Sequence, residues 1–251
     1  MDRSVYKKPF FADKTPPWKC PTCGAGHLAL IENSLYKFET SQSRADRKHD
    51  EWHPEWINSV FSCIFRCDRS RCGEPVACSG VVEIDLYEPH FEDGWEAKTF
   101  ERLRPYFFQP SLNLMDFPDK CPVSVKEYAK SSFGLFFYNQ SAALNFVRKA
   151  VEALLNDLEE KHSIAQPKKG FVTLDDRIKR LPDDYKASKD YLLAIKWLGN
   201  AGSHVSKEAD FDDVISAYEM LEHALYDIYE NRSEKLKNTV QLINANKGFA
   251  R

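Results

Sequence analysis

The chain has 251 residues, 43% hydrophobic and 29% charged, with 35 lysines and arginines against 38 acids for a net charge of -3. That length accommodates two modest domains, each able to bury a core. No apolar run approaches the roughly 20 residues a membrane helix needs, and neither half is a polycation that would bind phosphate non-specifically. The opening MDRSVYKKPFFADK lacks the apolar region of a secretory signal, so the expected compartment is the cytoplasm.

From residue 1 to about 120, short apolar runs are broken by Pro, Gly and Asp: HLALIENSLYKFE, VFSCIFRC, VVEIDLY and RPYFFQPSL. They read as strands of a small antiparallel sheet. TSQSRADRKHDEWHPEW is polar, and reads as a long insertion whose Trp52 and Trp56 tuck back onto the sheet.

All seven cysteines fall at or before Cys121. In a reducing compartment they point to metal ligands or buried small residues, not disulfides. Trp18-Lys-Cys20-Pro-Thr-Cys23-Gly24 has the two-residue spacing that lets two thiolates reach one tetrahedral ion from a tight turn, and the glycine relieves the backbone behind them. Cys67-Asp-Arg-Ser-Arg-Cys72-Gly73 supplies a second pair with a four-residue gap. The expectation is a structural zinc held by Cys20, Cys23, Cys67 and Cys72, a closed shell that contributes folding energy and leaves no position for substrate. Cys63 and Cys78 are read as packing residues, although either could replace Cys67 or Cys72. Cys121 is read as structural. Arg66, Arg69 and Arg71 around the second pair are either a solvated rim or a phosphate contact.

Residues 105–122, with Pro110, Pro118 and Pro122, read as a proline-rich connector. Beyond Pro122 the period becomes helical. Leu144, Val147, Val151, Leu154, Leu155 and Leu158 share one helix face; Phe211, Val214, Ile215, Tyr218, Leu221, Leu225 and Ile228 share another. Between them, Thr173-Leu-Asp-Asp176 resembles a capping box opening a short helix that Pro182 ends. A further helix runs from Tyr185 to about His204 with Tyr191, Leu192, Ile195 and Leu198 inward. The fold class is therefore α+β: a zinc-ribbon-like antiparallel β domain (1–104), then an all-α up-and-down bundle of four or five helices (123–232), then a frayed tail (233–251).

The stretch KWLGNAGSH, residues 196–204, carries two glycines that each cost roughly 1 kcal/mol inside a helix. Either another backbone approaches closely there, or the helix ends, with Asn200 as a cap and His204 on the following loop. In a continuing helix Asn200 and His204 share a face, with Lys196 one turn earlier. A chemical reading uses His204 for proton transfer and Lys196 for anion stabilisation, with Arg148 and Arg177 as remoter cations. Glu152 reads as a salt-bridge residue and His162 as a helix-end cation. No Walker loop, dinucleotide fingerprint, GxSxG or HExxH occurs.

Over residues 105–230 the chain resembles the bacterial domain-of-unknown-function family 4145 (DUF4145). The likeness rests on the proline-rich approach, Arg148-x-x-x-Glu152, Arg177-Ile178 and the Gly199-Asn200-x-x-x-His204 turn. Many members of that family also look like this chain in carrying a cysteine pair in front. The family is similar to the HEPN helical superfamily, in which dimeric ribonucleases place an Arg-polar-x-x-x-His motif from each chain at the interface and cleave RNA without a metal. The resemblance implies a homodimer through the GNAGSH helices, RNA or DNA as ligand, a possible partner effector, and a defence- or restriction-associated role. Asn200 and His204 match the motif. Gly199 stands where its arginine belongs, which implies either that Lys196 or Arg148 has taken over, or that the domain keeps the fold and dimer without catalysis; the second is the expectation.

Overall fold

The computed structural model describes residues 4–87, 90–91, 94–95, 98–164, 172–201 and 208–249. The chain divides into two compact units, Met1–Asn113 and Leu114–Arg251, and is α+β.

In the first unit a one-turn helix α1 (Ser4–Lys7) precedes strands β1 (Leu28–Leu30) and β2 (Tyr36–Glu39), helix α2 (Ser41–Asp46) and strands β3 (Ser59–Cys67) and β4 (Pro75–Tyr87). A short hairpin of β5 (His90–Phe91) and β6 (Gly94–Trp95) then leads to β7 (Lys98–Gln109), so β7 carries the sheet past residue 104. The sheet is antiparallel in the order β1-β3-β4-β7. β1 and β2 lie in tandem along one edge of β3, pairing Leu28↔Cys67 and Tyr36↔Ser62 respectively. Where they part, the Ser34 hydroxyl donates to the Ile64 carbonyl and accepts from the Ile64 amide, replacing the missing ladder bonds. The sheet curls until Lys37 of β2 forms an ion pair with Glu101 of β7.

Strand alternation sets what faces inward. Phe61, Cys63, Phe65 and Cys67 of β3 are buried, while Val60, Ser62 and Arg66 are exposed. The core is aromatic: Trp18 meets Phe10, Phe65 and Phe108 edge-on at 5.1, 5.6 and 5.0 Å between centroids, and its indole N–H donates to the Val5 carbonyl at 3.0 Å. In the insertion the Arg47 guanidinium covers Trp52. Trp56 is not buried as expected: it stays 41% exposed with its ring against His49, on the short turn Pro54–Trp56.

The second unit holds α3 (Val123–Leu135), α4 (Gln140–Lys161), α5 (Leu174–Lys179), α6 (Lys186–Ala201), α7 (Phe211–Glu230) and α8 (Arg232–Asn246). Every expected inward residue of α4 is buried, as are those of α7 apart from the half-buried Phe211 at its start. In α6, Leu192 and Ile195 are buried, whereas Tyr191 and Leu198 are half-buried. Thr173 caps α5 by accepting from the Asp176 amide, and Asp210 with Asp213 forms a reciprocal capping box at α7. The Ser132 hydroxyl donates to the Ala143 carbonyl and bonds the Tyr218 hydroxyl at 2.7 Å, satisfying the polar groups of a core where α3, α4 and α7 meet. The tail is not frayed through its whole length. After a left-handed Asn231 it resumes as α8, which buries no side chain.

Candidate metal centre and helical groove

Two tight turns make the first centre. From Trp18 the chain doubles back, with the Cys20 amide bonded to the Gly26 carbonyl at 2.8 Å and the Leu28 amide to the Trp18 carbonyl at 2.9 Å. After β3 a second turn closes when the Gly73 amide bonds the Arg69 carbonyl at 2.9 Å and the Cys67 amide bonds the Glu74 carbonyl at 3.0 Å. Gly24 and Gly73, each directly after the second cysteine of its pair, hold φ of +64° and +58°, a conformation that costs other residues about 1–2 kcal/mol. Register then joins the turns: Leu28 lies opposite Cys67, the His27 amide donates to Asp68 Oδ1, and the Asp68 amide to the His27 carbonyl, both at 2.9 Å.

The result brings Cys20, Cys23, Cys67 and Cys72 together with all four sulfurs within 4.8 Å of one another. These are the four residues expected from spacing. Cys20 Sγ to Cys72 Sγ is 3.8 Å and Cys23 Sγ to Cys67 Sγ is 3.7 Å. A regular tetrahedron with metal–sulfur arms of about 2.3 Å has an edge of about 3.8 Å, so the donor set fits a four-thiolate metal ion. Backbone amides of Ala25 and Gly26 aim at Cys23 and lower its pKa to about 6, whereas burial pushes Cys67 up to about 12. An ion bound there would supply the positive charge that holds all four as thiolates. Gly26 is sterically required: a Cβ there would stand 2.5 Å from Cys67 Sγ. Cys63 and Cys78 face each other across β3 and β4 as buried thiols outside this cluster, and burial pushes Cys78 far up. Cys121 is buried in the second unit. Arg66, Arg69 and Arg71 are all exposed.

The second centre is a groove of about 770 Å³ among α4, α5 and α6. Arg148, Lys196 and Asn200 all line it; His204 lies outside the described residues. Asn200 sits inside α6, which runs to Ala201, so the helix does not end at Gly199. Instead Gly199 lets α4 approach: a Cβ there would lie 3.3 Å from Arg148 Cβ and 3.7 Å from the Leu144 carbonyl. The Arg148 stem crosses the bare glycine and its Nη1 donates to Asn200 Oδ1, while Nε reaches Glu152 at 3.3 Å. Two of five guanidinium donors are thereby engaged.

The other cations are committed more fully. Lys196 is 12% exposed, 2.9 Å from Asp175 and 3.7 Å above the Trp197 ring centroid. Asp175 also takes Lys179 at 2.6 Å, and Lys179 first, then Lys196, holds its carboxyl below the ordinary range. Arg177 forms a bidentate pair with Glu159 at 2.9 and 2.8 Å and so ties α5 to α4. Sequence reading overlooked Asp175 and Trp197, although Asp175 precedes Lys179 by the four residues of a helical ion pair.

Residues 8–108 match the family described as Domain of unknown function (DUF8608), and residues 130–245 match Domain of unknown function (DUF4145). No curated protein and no solved structure matches the chain. The second match takes in α4 through α7 and most of α8. The first covers both cysteine pairs and was not anticipated from the sequence.

Proposed function

We propose that this is a nucleic-acid-binding interaction protein of bacterial defence or restriction, cytoplasmic and non-catalytic. Its first unit acts as a zinc-ribbon-like module, and its second as a HEPN-like domain that dimerises through the α6 region. The carrying observation is a contrast between its cations. Among the described residues no ion pair engages Arg66, exposed near the end of β3, or Arg69 and Arg71, exposed on the turn between Cys67 and Cys72. In the groove, Lys196 is neutralised by Asp175 and Arg177 by Glu159. Unpaired arginines on a rigid turn suit phosphate; neutralised cations serve packing. A four-thiolate tetrahedron accepts zinc or iron, and zinc fits a closed structural site without redox chemistry.

Fluorescence anisotropy with labelled oligonucleotides at rising salt tests the reading. Binding should weaken steeply with salt, and Arg66→Ala, Arg69→Ala and Arg71→Ala together should flatten that dependence. Absence of binding at low salt rejects it. Metal analysis should return one zinc per chain, and iron in its place would reject zinc.

A second reading is a metal-independent ribonuclease, favoured by one observation: Arg148 reaches Asn200 across Gly199, putting a guanidinium beside the polar motif residue that lacks its own arginine. On that reading Arg148 stabilises the developing negative charge and His204 moves the proton. His204→Ala and Arg148→Ala should each abolish RNA cleavage with the fold intact. Wild type that leaves a panel of RNAs uncut excludes the enzyme.

A further inference from the structure

The outer face of the sheet carries more exposed rings than solubility explains. Tyr36, Ser62, Ser79 and Phe107 form a single cross-strand row, paired Tyr36↔Ser62, Ser62↔Ser79 and Ser79↔Phe107. Its two ends are aromatic and exposed, Tyr36 by 58% and Phe107 by 45%, and its middle is two serines. Three strand spacings of about 4.8 Å separate the rings by roughly 14 Å. Between them lies an open groove of about 620 Å³ whose floor includes Ser62, Ile64, Ala77 and Ser79. The next row adds Phe38 opposite Val60, 66% and 47% exposed.

Charge decides what such a slot accepts. Val60, Ser62, Ile64 and Arg66 alternate outward along β3, so Arg66 extends the same face two residues beyond the groove floor, and Arg69 and Arg71 stand exposed in the cysteine turn that follows it. The acids Glu83 and Asp85 are paired with Arg104 and Arg102; Glu32 remains on the rim. Aromatic walls, a small-residue floor and three arginines without ion pairs at one end together match a polyanion with exposed flat bases. Duplex DNA or RNA keeps its bases stacked on each other, whereas a single strand can lay them on protein rings.

We infer that this outer face, with Tyr36 and Phe107 as stacking walls and Arg66, Arg69 and Arg71 as the phosphate rail, binds single-stranded nucleic acid. The inference rests on the nucleic-acid reading above and adds to it the location and the strandedness. An aromatic sheet face is tolerant of base identity, because every base has a π-face.

The test uses the full-length, metal-loaded protein and three labelled probes: a 12-nucleotide oligo-dT, a 12-nucleotide oligo-U and a 12-base-pair duplex. Single strands should bind at least tenfold tighter than the duplex. Tyr36→Ala and Phe107→Ala should each weaken single-strand binding about tenfold, the range of one lost base–aromatic stack, and leave the salt slope unchanged. Tyr36→Phe should retain affinity. The triple arginine-to-alanine variant should lower the slope by about 2, at roughly 0.7 per contact. Both rings are exposed, so metal content and circular dichroism should stay at wild-type values and show that these variants fold. Ring variants that bind single strands like wild type, while the arginine variant weakens binding, would overturn this site and leave the broader reading standing. Equal affinity for duplex and single strand would overturn it too. No binding of any probe by wild type would remove both.

Discussion

Replacing Gly26 with alanine should weaken metal binding at the four-cysteine cluster sharply. The new Cβ would stand 2.5 Å from Cys67 Sγ, 2.7 Å from Asp68 Oδ1 and 2.9 Å from Arg69 Cγ. Non-bonded heavy atoms settle at about 3.5–4.0 Å, so the sulfur must retreat by about 1 Å. Metal–sulfur bonds tolerate deviations of about 0.2 Å, so the displacement exceeds that margin roughly fivefold and takes a vertex off the tetrahedron. The Gly26 amide also points at Cys23 Sγ, 3.4 Å away, so relaxing the backbone disturbs a second ligand. Zinc affinity, measured by competition with a chromophoric chelator, should fall at least 100-fold, about 2.8 kcal/mol. Gly73→Ala is the matched control: nothing lies within 4 Å of its new carbon, although φ is +58°. It should cost about 1–2 kcal/mol of stability with stoichiometric metal retained. A Gly26→Ala protein that holds zinc within threefold of wild type would refute the argument.

Chelation should unfold the first unit and spare the second, seen as loss of Trp18 burial by fluorescence while helical circular dichroism persists. Leu155→Ala, at a side chain with 0% exposure, should destabilise the second unit by about 2–5 kcal/mol in urea unfolding. Gly199→Leu should cost about 1–3 kcal/mol by forcing α4 away from α6, read from thermal unfolding. Asp175 has its folded pKa depressed by Lys179 and Lys196, so the stability it contributes is present above its ordinary value of 3.8 and is lost as pH falls through the lower folded value. Asp175→Asn should therefore flatten the acid limb of the second unit's stability profile; an unchanged limb would show the carboxylate pairs contribute nothing there.

How much was legible depended on whether the signal was local. The cysteine pairs and the glycine after each were readable because ligand spacing and a left-handed turn are matters of a few consecutive residues, and β3 then supplied the register that joined them. The stripes of α4 and α7 were readable because a helix repeats its inward face every turn. Close approach at Gly199 was one of two readings, beside an end of the helix there, and neither said which atoms approach: Arg148 precedes Asn200 by 52 residues on another helix, and no local pattern announces it. For the same reason Asp175 escaped notice as the partner of Lys196. α8 was missed since it buries nothing, leaving only the sparse series Leu236, Val240 and Ile243 to mark it. The division of HLALIENSLYKFE into β1 and β2 turns on Ser34, whose role exists only beside Ile64.

The thiolate cluster also imposes an order on biosynthesis. Cys20 and Cys23 leave the ribosome long before their partners, and a two-sulfur half-site holds an ion weakly. Only after Cys72 has emerged could the four close on a metal, and that closure would hold β1 against the end of β3, where Leu28 lies opposite Cys67. On the proposed metal-bound reading, the supply of the ion at that instant would govern whether a newborn chain acquires its sheet.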